Sequence, residues 1–247
     1  METFQTPFGD FTCYKNDQNF YHHLKNDRFW EIDLILCKLR PYWETASCIL
    51  DIGAHIGSHS FLYSFYNSKA QIYAFEPQSN IYKVLCKNME SRKNVNCINT
   101  CVGHALCKTR LANHTHFGAN VEDTIQYGDA PTMNLGGVSI GTEGEEVSMI
   151  TVDSLNLSSC DFLKIDVEGA EGLVLLGAKE TLLKYKPVIC FEYIDSIDTS
   201  AIAAAFQMES IPTPHEILQE LGYEEFIRIE GDNWLALPKV EELNTSK

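Results

Sequence analysis

The sequence predicts an α/β fold: a mostly parallel seven-stranded sheet with helices on both faces and an inserted hairpin region. Three observations predict it. Short apolar runs that close on an acid alternate with stretches of helical spacing. Cys48-Ile49-Leu50 ends on Asp51, Gln71–Phe75 on Glu76, Phe162–Ile165 on Asp166 and Pro187–Phe191 on Glu192. Strands of a parallel sheet are buried on both faces and read as such continuous runs, and the helices between them supply the crossovers. From about Leu106 to Val152 the rhythm changes to brief alternating runs among Gly, Asn and Thr, the mark of hairpins set beside the sheet. Finally, 247 residues suit one sizeable domain with a terminal extension.

The elements follow in order. From about Asp17 to Arg40 the spacing is helical, with Phe20, Leu24, Ile32, Ile35, Leu36 and Leu39 available to one face, and Pro41 ends that helix or helix pair. Residues 1–47 are therefore expected to be a helical extension packed on a domain spanning 48–247. The first strand leads through a glycine loop into a helix over His59–Tyr66. After the second strand comes a helix from about Ser79 to Met89, then a third strand from about Val95 to Val102. The inserted runs are Thr109–Leu111, Val138–Ile140 and Val147–Ile150. A helix from about Ala170 to Lys184 separates the next two strands. Ile194–Ile211 fits neither period. A helix over Pro214–Leu221 stops at Gly222, and strands near Glu225–Ile229 and Trp234–Leu237 flank the turn Gly231-Asp232-Asn233.

Composition narrows the function. Hydrophobic residues at 45% and charged residues at 21% provide a real core and argue against a disordered scaffold. The net charge of −15, from 19 Lys+Arg against 34 Asp+Glu, speaks against nucleic acid or an anionic membrane as partner, since both reward basic faces. Nine cysteines form no C-x-x-C pair, and several lie in apolar runs, which suggests reduced, buried thiols. The N-terminus has no basic and apolar leader pattern, and no run approaches the roughly 20 apolar residues of a membrane span, so a cytoplasmic protein is expected. Nothing in the sequence sets an oligomeric state.

The first chemical motif is the loop Asp51-Ile52-Gly53-Ala54-His55-Ile56-Gly57. In an open α/β sheet ligands sit outside the carboxyl ends of the strands, and glycines let the backbone approach them. Glu76 ends the next strand, where a carboxylate can accept both hydroxyls of a ribose. A dinucleotide, S-adenosylmethionine (SAM) and an unliganded tight turn all fit the loop by itself. The dinucleotide fingerprint aligned on Gly53 needs glycines at the positions of His55 and Ser58, which argues against NAD. His55 and His59 have the four-residue spacing of metal ligands on a helix. They lack the neighbouring third ligand of a zinc site.

The second motif is Lys164-Ile165-Asp166-Val167-Glu168-Gly169-Ala170-Glu171. Strand alternation puts Lys164 and Asp166 on one side, with Asp166 at the tip that faces the same edge as Asp51 and Glu76. Glu171 falls in the first turn of a helix, where the dipole favours an acid. Glu192 stands beside Asp166 if their strands are neighbours. Converging carboxylates can show raised pKa values, hold a cation or accept a proton.

These stretches together resemble the FkbM family of SAM-dependent methyltransferases. The resemblance rests on Ile49–Gly57, Ala74-Phe75-Glu76-Pro77, Val147–Leu155, Asp161–Glu171, Gly177-Ala178 and Pro187–Glu192, with Phe29-Trp30-Glu31 similar to an aromatic-Glu pair ahead of the glycine loop. The loop match alone is generic; the ordered set, from about Asp17 to Pro238, is specific. His55 departs from the family, which usually has Asn there, and Ile194–Pro214 has no counterpart. The resemblance implies a Rossmann-like class I methyltransferase that places a methyl on an oxygen. It also implies a cofactor-binding set of Asp51, Gly53, Ala54, His55, Gly57, Glu76, Pro77, Cys101, Val102 and Asp166. Gly53, Ala54, His55 and Gly57 would wrap the methionine and ribose part of SAM, Glu76 would hold the ribose, and the Cys101-Val102 strand end would lie near adenine. Asp166 would sit near the methionine end, facing the acceptor.

The mechanism to expect is alignment of an acceptor oxygen with the methyl–sulfur bond, with Asp166 or Glu168 taking the proton and Glu192 orienting its neighbour. A divalent metal on the same acids is a rival mechanism, not the favoured one. The family's frequent action on glycans and related natural products suggests a sugar hydroxyl as acceptor, and Asn113, His114, His116, Phe117, Asn120 and Tyr127 of the insertion could contact it. An RNA ribose methyltransferase and a non-catalytic SAM-binding module are the alternatives. The acidic charge balance opposes the first, and the intact Asp166/Glu168 pair opposes the second.

Overall fold

Residues 1–114 and 135–239 are described by the computed structural model. Of the side chains suggested for an acceptor, His116, Phe117, Asn120 and Tyr127 lie outside the described residues. The chain opens on an antiparallel hairpin, β1 (Glu2–Thr6) and β2 (Gly9–Cys13), where a wholly helical extension was expected. The Asn88 side chain helps fasten it: its amide accepts from Thr12 N at 2.7 Å and donates to Thr12 O and Ile56 O at 2.9 and 2.8 Å. No local period announces such a bond across 76 residues.

Helix α1 (Gln18–Lys25) follows, then a wide helical turn over Leu34–Leu39 that runs into α2 (Arg40–Trp43). Pro41 does not end the helix as expected. It sits in the first turn of α2, where its missing N–H is no loss, and the wide turn before it leaves room for its ring.

The central sheet begins with β3 (Cys48–Ile52), buried at every position. It continues through α3 (Ser58–Tyr66), β4 (Gln71–Phe75), α4 (Ser79–Met89) and β5 (Val95–Ile98). The expected third strand stops at Ile98 because the Asn99 amide turns back to donate to the carbonyls of Glu76 and Pro77, both at 2.9 Å. Its remainder, β6 (Cys101–Val102), joins the insertion strands β7 (Cys107–Leu111), β8 (Ile140–Gly141) and β9 (Glu146–Ile150) in a separate four-stranded sheet.

The parallel pattern resumes with β10 (Phe162–Ile165), α5 (Glu171–Leu176), α6 (Lys179–Tyr185) and β11 (Val188–Glu192). The expected single helix divides at Gly177 because Asp153 caps α6 from outside, accepting from Thr181 N and Glu180 N at 2.8 and 3.1 Å. The stretch without a clear period holds a short helix, α7 (Ser200–Ala205). Helix α8 (Pro214–Glu220) starts from a Thr213/Glu216 capping box, and β12 (Tyr223–Glu230) and β13 (Asn233–Pro238) close the chain.

The seven strands lie in the order β12-β13-β11-β10-β3-β4-β5, all parallel except β13. Alternation along β3 splits the core. Ile49 packs with the N-terminal aromatics Phe11, Phe29 and Trp43, whereas Leu50 and Ile52 pack with α5 and α6 on the other face. All nine cysteines are unpaired, five of them buried. No helix among the described residues is long and apolar enough to cross a membrane.

Candidate active site

The chain runs outward from β3 to β5, then returns to place β10 on the other side of β3. The strand tips at that reversal leave a crevice, as the topology of open α/β sheets requires. A cleft opens there with an empty volume of about 1100 Å³, its mouth included. Asp51, Lys164 and Cys190 are register neighbours, so one step of strand alternation beyond them carries Asp166 and Glu192 to the same face. That face is the one the N-terminal extension covers.

The glycine loop is clamped to β4, since Gly53 N and Ala54 N both donate to Phe75 O, at 3.0 and 2.8 Å. Gly53, Ala54 and His55 line the cleft. The His55 backbone N–H donates to Glu76 Oε2 at 3.0 Å, and Gln78 N donates to Glu76 Oε1 at 2.8 Å. Burial pushes the Glu76 carboxyl up to about 8, with those two N–H groups pulling it part of the way back. Each oxygen keeps acceptor capacity for a further donor. Pro77, Cys101 and Val102 continue the lining, and Val138 and Ile140 of the insertion complete an apolar slot with them.

Two members of the expected cofactor set have other employment. Asp51 lines the cleft, yet its Oδ2 accepts from Ser60 N and Ser60 Oγ at 3.1 and 2.6 Å and so fastens the first turn of α3. Gly57 is not among the lining residues. Its φ of +92° starts α3, and a Cβ there would stand 2.6 Å from Leu85 and 2.7 Å from Met89. Gly57 therefore lets α3 and α4 pack closely.

Beyond β10, Lys164 Nζ donates to Asp166 Oδ2 at 2.8 Å. Glu171 occupies the first turn of α5 as expected, and its Oε1 also closes the preceding loop by accepting from Val167 N and Gly169 N at 3.0 and 3.2 Å. Asp166, Glu168 and Glu192 all line the cleft, and one carboxylate oxygen from each falls within 4.8 Å of the others. That spacing could hold a proton or a cation. Burial first, then the Asp166 charge, pushes Glu168 up to about 8; the Asp166 charge first, then burial, pushes Glu192 up to about 9.

The opposite wall comes from the N-terminal extension, through Phe20, Trp30 and Glu31. Glu31 Oε2 pairs with His59 Nε2 at 2.9 Å, and Glu31 Oε1 accepts from Asn233 Nδ2 at 3.3 Å. Burial opposes ionisation of Glu31, but His59 and Lys164 outweigh it and bring the carboxyl down to about 2. Burial likewise opposes the charge of Lys164, while Asp166 and Glu31 more than restore it. Sequence reasoning placed Phe20 on a core face, Asn233 in a turn, and Gln78 and Thr100 nowhere in the site. Glu31 and Asn233 are 202 residues apart, so no local pattern could have joined them.

The model of the methyltransferase FkbM domain matches residues 51–226. The chain belongs to the FkbM methyltransferase family. No curated protein sequence matches it. Among solved structures, an FkbM methyltransferase from Methylobacillus flagellatus KT is 16% identical with a TM-score of 0.47, covering 78% of this chain and 43% of its own. This chain thus spans less than half the length of that FkbM relative. A precorrin-6y C5,15-methyltransferase from Geobacter metallireducens GS-15 is 16% identical with a TM-score of 0.45, covering 83% of this chain and 85% of its own. Aeropyrum pernix fibrillarin, crystallised with natively bound SAM, is 10% identical with a TM-score of 0.40, covering 78% of this chain and 67% of its own.

The acid cluster gives this FkbM chain a pH-dependent stability. Burial raises Asp17 and Glu171 to about 7, and Glu76, Glu168 and Glu192 are raised to about 8, 8 and 9. The folded state holds these protons more tightly than the unfolded chain, so the stabilisation is complete below about pH 4 and is lost as pH rises through 7 to 9. Glu31, lowered to about 2, and His55, lowered by burial to about 4, act in the opposite sense and weaken the fold only in acid. Because that loss begins where the unfolded carboxyls ionise, the melting temperature should peak near pH 4–5 and fall steadily towards pH 9. Thermal unfolding across that range tests this, and Glu168→Gln with Glu192→Gln should flatten the alkaline limb. An unchanged slope in the double variant would place the proton linkage elsewhere.

Proposed function

We propose that the chain is a SAM-dependent O-methyltransferase whose acceptor is a hydroxyl of a sugar, a glycan or a related natural product. The observation that carries this reading is the convergence of Asp166, Glu168 and Glu192 at one end of a cleft whose other end holds Glu76. The donor set suits SAM. Glu76 has capacity for the two ribose hydroxyls, the slot by Cys101, Val102, Val138 and Ile140 suits adenine, and the carboxylates complement a sulfonium and an ammonium. When bound, SAM supplies a methyl group already activated by its sulfonium.

What remains for the protein is alignment and proton removal. Holding the acceptor oxygen in line can supply on the order of 7–11 kcal/mol. Glu168, with its carboxyl near 8, is matched to accept the hydroxyl proton, and Asp166 and Glu192 orient it. Lys164 is the only Lys or Arg lining the cleft among the described residues, and it is held by Asp166. Neither that nor the net charge of −15 favours a phosphate-rich acceptor such as RNA.

Incubation with isotopically labelled SAM and a panel of free and oligomeric sugars, read by mass spectrometry, tests the reading. The expected result is transfer to a hydroxyl at a rate that rises from pH 7 to 9. Glu168→Gln should keep SAM binding and lose at least about 100-fold in rate, the usual worth of acid–base catalysis, and Asp166→Asn should lose as much while also weakening SAM. Full rates in both would overturn the assignment. The mutual spacing of the three carboxylates also suits a divalent cation as a second reading, and undiminished transfer in the presence of a chelator would remove it.

A further inference from the structure

His55 is the one position of the glycine loop whose residue type neither the turn nor the cleft explains. Its backbone lies at φ +51°, a region that residues with side chains seldom occupy. That conformation aims its N–H at Glu76 Oε2, 3.0 Å away. The ring points into the N-terminal extension, packed against Phe20 with centroids 4.7 Å apart, and its Nε2 stands 3.3 Å from Asp17 Oδ2.

Asp17 is itself unusual. It occupies the N-cap of α1, where an acid ordinarily folds its carboxylate back on the first N–H groups of the helix, yet it makes no such capping bond. It is 0% exposed, and neither of its oxygens nor either ring nitrogen of His55 has a well-aligned hydrogen-bond partner. The N–H groups of Phe20 and Leu135 lie near enough to ease the burial of its charge without aligning on it. A buried carboxylate that stands against a buried imidazole, with no well-aligned bond to its own helix, calls for a role beyond packing. The contacts connect the extension to the cleft in one line, from Asp17 to the His55 ring, from the His55 backbone to Glu76.

We propose that Asp17 is a positioning residue for cofactor recognition: it anchors the His55 ring, which keeps the loop N–H on Glu76 and so orients the carboxylate that accepts the ribose hydroxyls. The proposal rests on the reading of the cleft as a SAM site with the ribose at Glu76. The extension then forms part of the cofactor site through a residue that never touches the cofactor. An asparagine at position 55 would tolerate the left-handed backbone by itself but could not reach Asp17, so it should make Asp17 dispensable.

Calorimetric titration of the full chain with S-adenosylhomocysteine and its 2′-deoxy analogue tests this. The wild type should prefer the ribose form, and Asp17→Ala should lose about ten-fold in affinity for it while the deoxy analogue changes little. His55→Ala should show the same selective loss. Whatever affinity His55→Asn itself retains, adding Asp17→Ala to it should have no further effect. A purely structural role would weaken both ligands alike, and that result in either alanine variant overturns the proposal, as would additive losses in the double variant. Should Asp17→Ala fail to fold, titration of His55→Ala with the two ligands still decides it. If the folded wild type binds neither compound, the SAM reading itself falls and this proposal with it. Binding by the wild type with unchanged hydroxyl preference in the alanine variants overturns the proposal alone.

Discussion

Gly53→Ala is expected to cost at least about 3 kcal/mol of stability and to abolish cofactor binding. A Cβ at position 53 would stand 1.7 Å from the backbone oxygen of Asp166 and 2.8 Å from its carbonyl carbon, on a residue whose φ is already +84°. Neither side can retreat. Gly53 N is bonded to Phe75 O, and Asp166 is tied to β3 through its N–H on Ile52 O at 3.0 Å. Gly231 separates the two causes, because its φ is +55° and a Cβ there meets nothing within 4 Å. Gly231→Ala should therefore cost only about 1–2 kcal/mol, the backbone share alone. Urea denaturation of both variants makes the comparison. Equal losses would mean that the Asp166 carbonyl moves aside easily and that the two motifs are less tightly joined than their spacing implies.

Lys164→Met is expected to cost about 3 kcal/mol, the low end of what removing one partner of a buried ion pair costs, because Asp166 is 29% exposed. The Lys164 side chain is 2% exposed, and its ammonium is 2.8 Å from Asp166 Oδ2. Methionine replaces the apolar stem, so the loss measures the charge more than the packing. Without the ammonium, Asp166 faces Glu168 and Glu192 with no cation, and Glu31 is left with His59 and Asn233. Adding Asp166→Asn to Lys164→Met should recover part of the stability, because the uncompensated charge goes with it. Denaturant titration of the single and double variants forms the cycle. Strictly additive losses would show that Lys164 and Asp166 are not energetically coupled.

Much of the framework could be read from residue type and spacing. Buried parallel strands appear as apolar runs, and each of the four acids that close them falls within one residue of a strand end. Boundaries failed where one side chain from elsewhere intervened. Asn99 ended the third strand by bonding to the carbonyls after β4, Asp153 divided the helix at Gly177, and Asn88 held a hairpin that helical spacing did not suggest. Pro41 was misplaced for a local reason, since a proline stops a helix only when it falls beyond the first turn. Within the site, Gly53 and Gly57 look alike in the motif, yet one meets the Asp166 carbonyl and the other makes room for α4. Identity at a motif position does not say what stands opposite it.

The sequence by itself determined the sheet, the two motifs at its strand tips and the family to which their order belongs. These follow from short-range rules: the two-residue alternation of strands, the period of helices and the residue types a sharp turn demands. Only the tertiary structure decided that the N-terminal extension walls the cleft, that Glu31 and Lys164 hold a charge network around Asp166, and that the His55 ring turns to Asp17. Apart from the Lys164–Asp166 bond, contacts of that kind join residues tens to hundreds of positions apart. They exist only once burial has removed water and made every unpaired charge costly, a condition no local pattern records.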